Sequence, residues 1–161
     1  MNRVCVLGSI NMDLVINSKR IPRVGETVLA KEFRKIPGGK GANQAVAARR
    51  LGCEVYMLGK VGVDDNGRIL MEALKGDGIN LDYILKDDDN PTGMAIINVD
   101  DQGNNSITVV PGANMTISRN DFDKTVEIIK NSKIVIAQFE TPKEITKVHL
   151  NLPRNMGQLL Y

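Results

Sequence analysis

Apolar and polar positions along this chain change period several times. Val4-Cys5-Val6-Leu7 is a continuous apolar run closed by Gly8, the pattern of a strand covered on both faces of a sheet. Glu54-Val55-Tyr56-Met57-Leu58 and Ile134-Val135-Ile136-Ala137-Gln138-Phe139 read the same way. Between these runs the spacing becomes helical. An Ala-rich segment follows Gly41 and ends near Gly52, and residues 65–75 carry Ile69, Leu70, Ala73 and Leu74 on one side. Ser118-Arg119-Asn120-Asp121 opens a segment with Phe122, Val126 and Ile129 on one face. This βαβα order predicts an α/β fold: a doubly wound, mostly parallel sheet with helices on both faces.

Shorter β patterns interrupt that order. Leu14 to Ile16 and Thr27 to Phe33 read as strands flanking the Pro22 to Gly25 turn, and Thr92 to Val99 with Ser106 to Val110 read as a hairpin around the turn at 100–105. We assign both to a small β-sheet lid outside the main sheet, inserted at about 14–34 and 92–111. Thr141-Pro142-Lys143-Glu144 has the capping-box pattern with Pro at the first helical position. From about Val148 the amphipathic pattern fades and Pro153 blocks a continuing helix, so 148–161 reads as a divergent tail.

Composition narrows the function classes. The 161 residues suffice for one domain with a core, and 21 basic against 19 acidic side chains leave a net charge of +2. There are no basic blocks or aromatic platforms, which argues against nucleic acid as a partner. The apolar run at 4–7 is too short for a signal segment or a membrane span, and we read the chain as cytoplasmic, with no membrane partner. Cys5 and Cys53 lack a CxxC spacing and read as free thiols. One histidine, His149, leaves little material for a His-based metal site or a Ser/His/Asp triad.

The densest chemistry lies in Pro37-Gly38-Gly39-Lys40-Gly41-Ala42-Asn43-Gln44-Ala45, a glycine-rich turn running into a helix start. Unpaired N–H groups and the helix dipole suit such a start to a polyol, carboxylate or phosphate; the alternative is a turn with no ligand. The P-loop would need Ser or Thr after Lys40, where Gly41 stands, and the dinucleotide fingerprint a small residue where Gln44 stands, so both are excluded. Asn11 and Asp13 follow the first strand, where open parallel sheets bind ligands, and alternation puts them on one side of an extended chain. They can grip neighbouring hydroxyls, each hydrogen bond to a charged group contributing about 1.5–3 kcal/mol, or serve as caps or Asx-turns. Glu140 reaches the same edge from the third apolar run, as a ligand group or as a helix N-terminal charge.

Gly-Gly-Lys-Gly-Ala-Asn-Gln-Ala at 38–45 resembles the first signature of the ribokinase-like carbohydrate kinase family. Gly-Ser-Ile-Asn-Met-Asp at 8–13, Val24-Gly25-Glu26-Thr27 and Pro111-Gly112-Ala113-Asn114 extend the resemblance over roughly residues 3 to 147. The resemblance implies that Asn11 and Asp13 hold ribose hydroxyls, that Gly39, Lys40, Gly41 and Asn43 line the sugar site, and that Glu140 holds another hydroxyl. It implies transfer of the ATP γ-phosphoryl to the primary hydroxyl of D-ribose with Mg²⁺ and a monovalent cation such as K⁺, and a β lid that closes over the sugar and forms a homodimer. The family's Asn-x-x-Glu motif, its Gly-Ala-Gly-Asp segment with the catalytic base, and its nucleotide pocket have no counterpart in this sequence. The expectation is therefore a partial ribokinase-like domain over 1–161, truncated, frame-shifted or completed elsewhere, that keeps the sugar site and lacks activity. Alternatively it is a non-catalytic sugar-binding or dimerising module. A sheet ending at the 134–139 strand is expected to leave an unpaired edge and to associate.

Overall fold

β1 (Arg3–Leu7) carries the layers of this fold. Its side chains alternate, Val4 and Val6 turning to one face and Cys5 and Leu7 to the other, and all four are buried. The computed structural model describes residues 2–152 and 159–160. In it β1 lies between β4 (Glu54–Gly62) and β8 (Ile134–Ala137), within a five-stranded sheet completed by β5 (Asn80–Asp87) and β9 (Leu159–Leu160), of order β5-β4-β1-β8-β9, whose paired strands are all parallel. One face is covered by α1 (Lys40–Arg50) and α2 (Asp65–Gly76), whose Ala42, Ala45, Leu70 and Leu74 pack with Val4, Val6, Val55 and Met57. On the other, α4 (Val126–Lys130) and α5 (Lys143–Leu150) bring Ile128, Ile129 and Ile145 against Cys5, Leu7 and Leu58. The expected α/β architecture is thus the observed one.

A second, mixed sheet has the order β3-β2-β6-β7. Its strands are β2 (Asn11–Ser18), β3 (Ala30–Gly38), β6 (Gly93–Val99) and β7 (Asn105–Val110). β2 and β3 differ from the short strands read at 14–16 and 27–33. β2 begins at Asn11, which already pairs in register with Gly38 and Gly93, and β3 runs on to Gly38, one residue short of α1.

Other elements depart from the sequence pattern for local reasons. β5 (Asn80–Asp87), parallel to β4, was not anticipated because acidic residues at 82 and 87–89 break up its apolar character. The helix read from residue 118 is two short ones, α3 (Arg119–Asp123) and α4, with Ser118 capping α3 through Asp121. Ile128 and Ile129 are the buried positions of α4, while the side chain of Phe122 lies outside the described residues. On α2, Ile69 is exposed and Met71 packs in its place. Thr141 does not cap α5: Pro142 is the N-cap, and the buried Thr141 hydroxyl bonds Thr146 Oγ1 at 3.0 Å, leaving Glu144 to pair with Lys147. Pro153 lies outside the described residues; α5 already ends at Leu150. The expected bare edge of β8 is covered over its first half, where Ile134 and Val135 pair with Leu159 and Leu160 of β9.

Two buried polar groups tie the far face together. Lys60 Nζ lies 3.5 Å from both Asp87 Oδ2 and Asp121 Oδ2, and Thr116 Oγ1 donates to Asp87. That hydrogen bond, with others from Asn90 and Asp89, outweighs burial and holds the Asp87 carboxyl far below the usual range. His149 on α5 is buried, with Nδ1 2.8 Å from the Ile145 carbonyl and Nε2 3.3 Å from Thr125 Oγ1. Burial pushes its imidazolium pKa down to about 4.

The unfolded chain takes up the His149 proton near pH 6.5 and the folded chain only near 4, so stability is full above 6.5 and falls as pH drops between these values. Urea unfolding of the parent is expected to show a loss of roughly 1.4 kcal/mol between pH 7.5 and 5.5. His149→Gln is expected to be less stable at pH 7.5 but to lack that decline; an unchanged decline would show that His149 does not cause it.

Candidate functional site

At the C-terminal edge of the main sheet, the chain leaves β1 at Leu7 and re-enters a strand at Asn11, which places Ser9 at the turn. α1 starts within one residue of β3, and the joint is Gly39, with φ +96°, a left-handed conformation that glycine adopts without steric cost. The first turn of α1 then lies directly on the β1 end: a Cβ on Gly41 would sit 2.6 Å from the Gly8 carbonyl carbon. That approach lets the buried Ser9 hydroxyl accept from the Lys40 backbone N–H at 3.0 Å while donating to Glu140 Oε2 at 2.6 Å. Lys40 Nζ closes the group, 2.5 Å from Glu140 Oε1. Burial raises the Glu140 pKa, but the bonds from Lys40 and Ser9 outweigh it and hold the carboxyl below its ordinary value.

The second sheet supplies the facing wall. Asn11 is buried and accepts from Asn114 Nδ2 at 2.7 Å. Asp13, two residues along β2, lies against Gly38, where a Cβ would sit 2.2 Å from its Oδ2. Burial first, and the Glu140 charge second, push the Asp13 carboxyl above its ordinary value. Pairing puts Ile36, Ala95 and Val109 in the same row as Asp13, and Arg34, Val15, Ile97 and Ile107 in the row two residues on. The acid's own cross-strand neighbours are therefore apolar, and a hydrogen bond to it is less screened by water. Between the two sheets is a cleft of about 290 Å³ lined by Ser9, Asn11, Asn114 and Glu140 with Val109, Pro111, Met115 and Phe139.

Of the residues singled out in the sequence, the structure joins Lys40 and Glu140 directly, sets Asn11 on the same cleft and Asp13 next to it, and uses Gly39 and Gly41 to bring α1 there. Asn43 is apart: it is exposed and lines a hollow of about 280 Å³ between α1 and α2 with Pro37, Gly38 and Arg50. Sequence reasoning missed Ser9, Asn114 and the apolar Val109, Met115 and Phe139. Ser9 and Asn114 stood inside quoted motifs, yet a hydroxyl or an amide beside glycine gives no sign of burial until the strands are paired. Among the described residues no group of three or more His, Cys, Asp or Glu side chains is placed to hold a metal ion, and no helix is long and apolar enough to cross a membrane.

The profile of the pfkB family carbohydrate kinases matches residues 1–156. The chain belongs to this family. The family match runs past Lys147, where the resemblance read from the sequence stops, and so takes in most of the stretch set apart as a tail. Among curated relatives, the chain is 46% identical over 144 residues to a ribokinase of Bacillus subtilis, covering 89% of this chain and 49% of the relative. It is 40% identical over 143 residues to a ribokinase of Arabidopsis thaliana, covering 87% and 38%. The chain thus spans about half the length, or less, of these relatives. Among solved structures, Arabidopsis thaliana ribokinase complexed with ribose and ATP matches with a TM-score of 0.77 at 38% identity, over 89% of this chain and 47% of that one. Ribokinase from Cryptococcus neoformans in complex with ADP matches with a TM-score of 0.82 at 33% identity, over 93% and 46%.

The close approach at the α1 start is directly testable. Gly41→Ala is expected to lower stability by about 1–3 kcal/mol, since backbone on both sides must move. Gly76→Ala, at a position with nothing within 4 Å of the added Cβ, is expected to be neutral or slightly stabilising. Thermal melts of the two variants side by side check this; equal effects would mean that the α1 contact is loose.

Proposed function

We propose that these residues form the sugar-binding part of an ATP-dependent ribokinase, whose reaction phosphorylates the primary hydroxyl of D-ribose to give ribose 5-phosphate. The observation that carries this reading is the cleft in which ionised Glu140, held by Lys40 and Ser9, faces the Asn11 amide with Asp13 beside it. A polyol needs several fixed donors and acceptors around a small apolar-walled space, and this edge supplies them. In this reading Asn11 and Asp13 hold adjacent hydroxyls, Gly39, Lys40 and Gly41 line the site, and Glu140 takes a further hydroxyl, while Asn43, which lines the hollow between α1 and α2, is left out of it. The names of the relatives, two of them solved with nucleotide and one also with ribose, support the substrate and ATP.

For the nucleotide, Mg²⁺ and K⁺ that the reaction requires, the residues in hand do not fit. The sequence has no Asn-x-x-Glu or Gly-Ala-Gly-Asp segment, and the described residues form no metal cluster. Positioning and charge stabilisation of the transferred phosphoryl group need those parts. The 161 residues alone are therefore expected to bind sugar without turnover, in the cytoplasm, where Cys5 and Cys53 stay thiols. The partly exposed Ile36, Ile107 and Val109 on the Asp13 face support closure over the sugar and homodimerisation through the second sheet.

Calorimetric titration of the chain with ribose, then with ATP and Mg²⁺, is the test. Heat is expected with ribose alone, and Asp13→Asn is expected to weaken ribose at least about tenfold, the worth of one hydrogen bond to a charged group. Ribose binding that survives Asp13→Asn would remove Asp13 from the site, and ATP binding would overturn the division of labour.

A further inference from the structure

Asn114 sits in the 3-10 turn Gly112–Met115, 1% exposed, in a segment tied to the main body by the Ala113 N–H to Pro91 carbonyl bond at 2.8 Å. Its amide has one possible orientation. Oδ1 accepts from the Ile10 backbone N–H at 2.9 Å, and a backbone N–H can only donate, so the oxygen must be on that side. Nδ2 is then surrounded by acceptors: the Pro111 carbonyl at 3.1 Å, the Ile10 carbonyl at 3.3 Å and Asn11 Oδ1 at 2.7 Å. The same logic passes to Asn11, whose oxygen is held by Asn114, so that its NH₂ is the end left to face the cleft it lines. Gly93 backs the pair from β6, where a Cβ would lie 2.2 Å from Asn114 Nδ2 and 2.3 Å from Asn11 Oδ1.

Resting on the sugar-site reading above, we infer that Asn114 is a positioning residue that fixes Asn11 as a hydrogen-bond donor toward the ligand. Asn11 then gives a hydrogen to one sugar oxygen while Asp13, two residues on, takes one from the neighbouring hydroxyl. A vicinal diol is read with a defined polarity: one hydroxyl must accept and the next must donate. The polarity originates in the Ile10 backbone N–H and is carried through two buried amides.

The test follows the side-chain amide protons by NMR in the ¹⁵N-labelled chain. In the parent, the Asn114 Nδ2 protons are expected to exchange with solvent at least about tenfold more slowly than those of Asn11. Asn114→Asp keeps the bond to Ile10 N–H but turns an acceptor toward Asn11. The Asn11 amide is then expected to rotate, its protons becoming the slow pair, and ribose affinity is expected to fall about tenfold or more. Should that variant not fold, Gly93→Ala attacks the same pair from the other side and is expected to speed Asn114 exchange. Equal protection of the two amides in the parent, or Asn11 exchange unchanged by Asn114→Asp, overturns the inference. If the exchange pattern is as expected but ribose perturbs neither amide, the sugar reading fails and the fixed orientation of Asn11 stands.

Discussion

The backbone of α1 can lie against the end of β1 because neither Gly8 nor Gly41 carries a Cβ, and the geometry of the cleft depends on that contact. It brings the first N–H groups of a helix within reach of the Ser9 hydroxyl, which is thereby oriented to donate to Glu140. Glu140 lies in the connection between β8 and α5, more than a hundred residues away in sequence. One close approach thus aligns three separate elements, β1, α1 and β8, before any ligand is considered.

The two walls of the cleft are electrically unlike. On the main-sheet side the Glu140 carboxylate is stabilised by an ammonium and a hydroxyl, so its charge persists. On the second-sheet side Asp13 stands in a row whose other members are apolar, and burial together with the Glu140 charge makes its ionised form dearer. A ligand that donates hydrogen to Asp13 relieves part of that cost, which water at an apolar face does less well.

Much of this was legible in the sequence. The apolar runs at 4–7, 54–58 and 134–137 read as strands covered on both sides, and the main sheet follows from them; continued to Phe139, the third overshoots by two residues, since β8 ends at Ala137 and Phe139 is exposed. Asn11, Asp13 and Glu140 could be singled out because they follow apolar runs, and Lys40 because it stands in the glycine-rich turn that carries the family resemblance. β5 was hidden by its acidic neighbours, and the true extent of β2 and β3 depended on cross-strand pairing that no local pattern encodes. Ser9 and Asn114 were invisible as site residues for a related reason: their role is to satisfy backbone groups of distant segments, and nothing local marks a serine or an asparagine as buried. Asn43 shows the converse, a residue conspicuous in the motif whose side chain faces a different hollow.

The strand order 5-4-1-8-9 also dictates a sequence of events. β1 is the first strand made, yet one of its two edges pairs with β8, whose residues emerge more than a hundred positions later. During synthesis β1, α1, β4, α2 and β5 can assemble through contacts of modest separation, while the other edge of β1 stays open. The cleft inherits this order, since Glu140 reaches it only after β8 docks. Ser9 and Asn11 wait beside an unfinished cleft, and closing the sheet and completing that cleft become one late step.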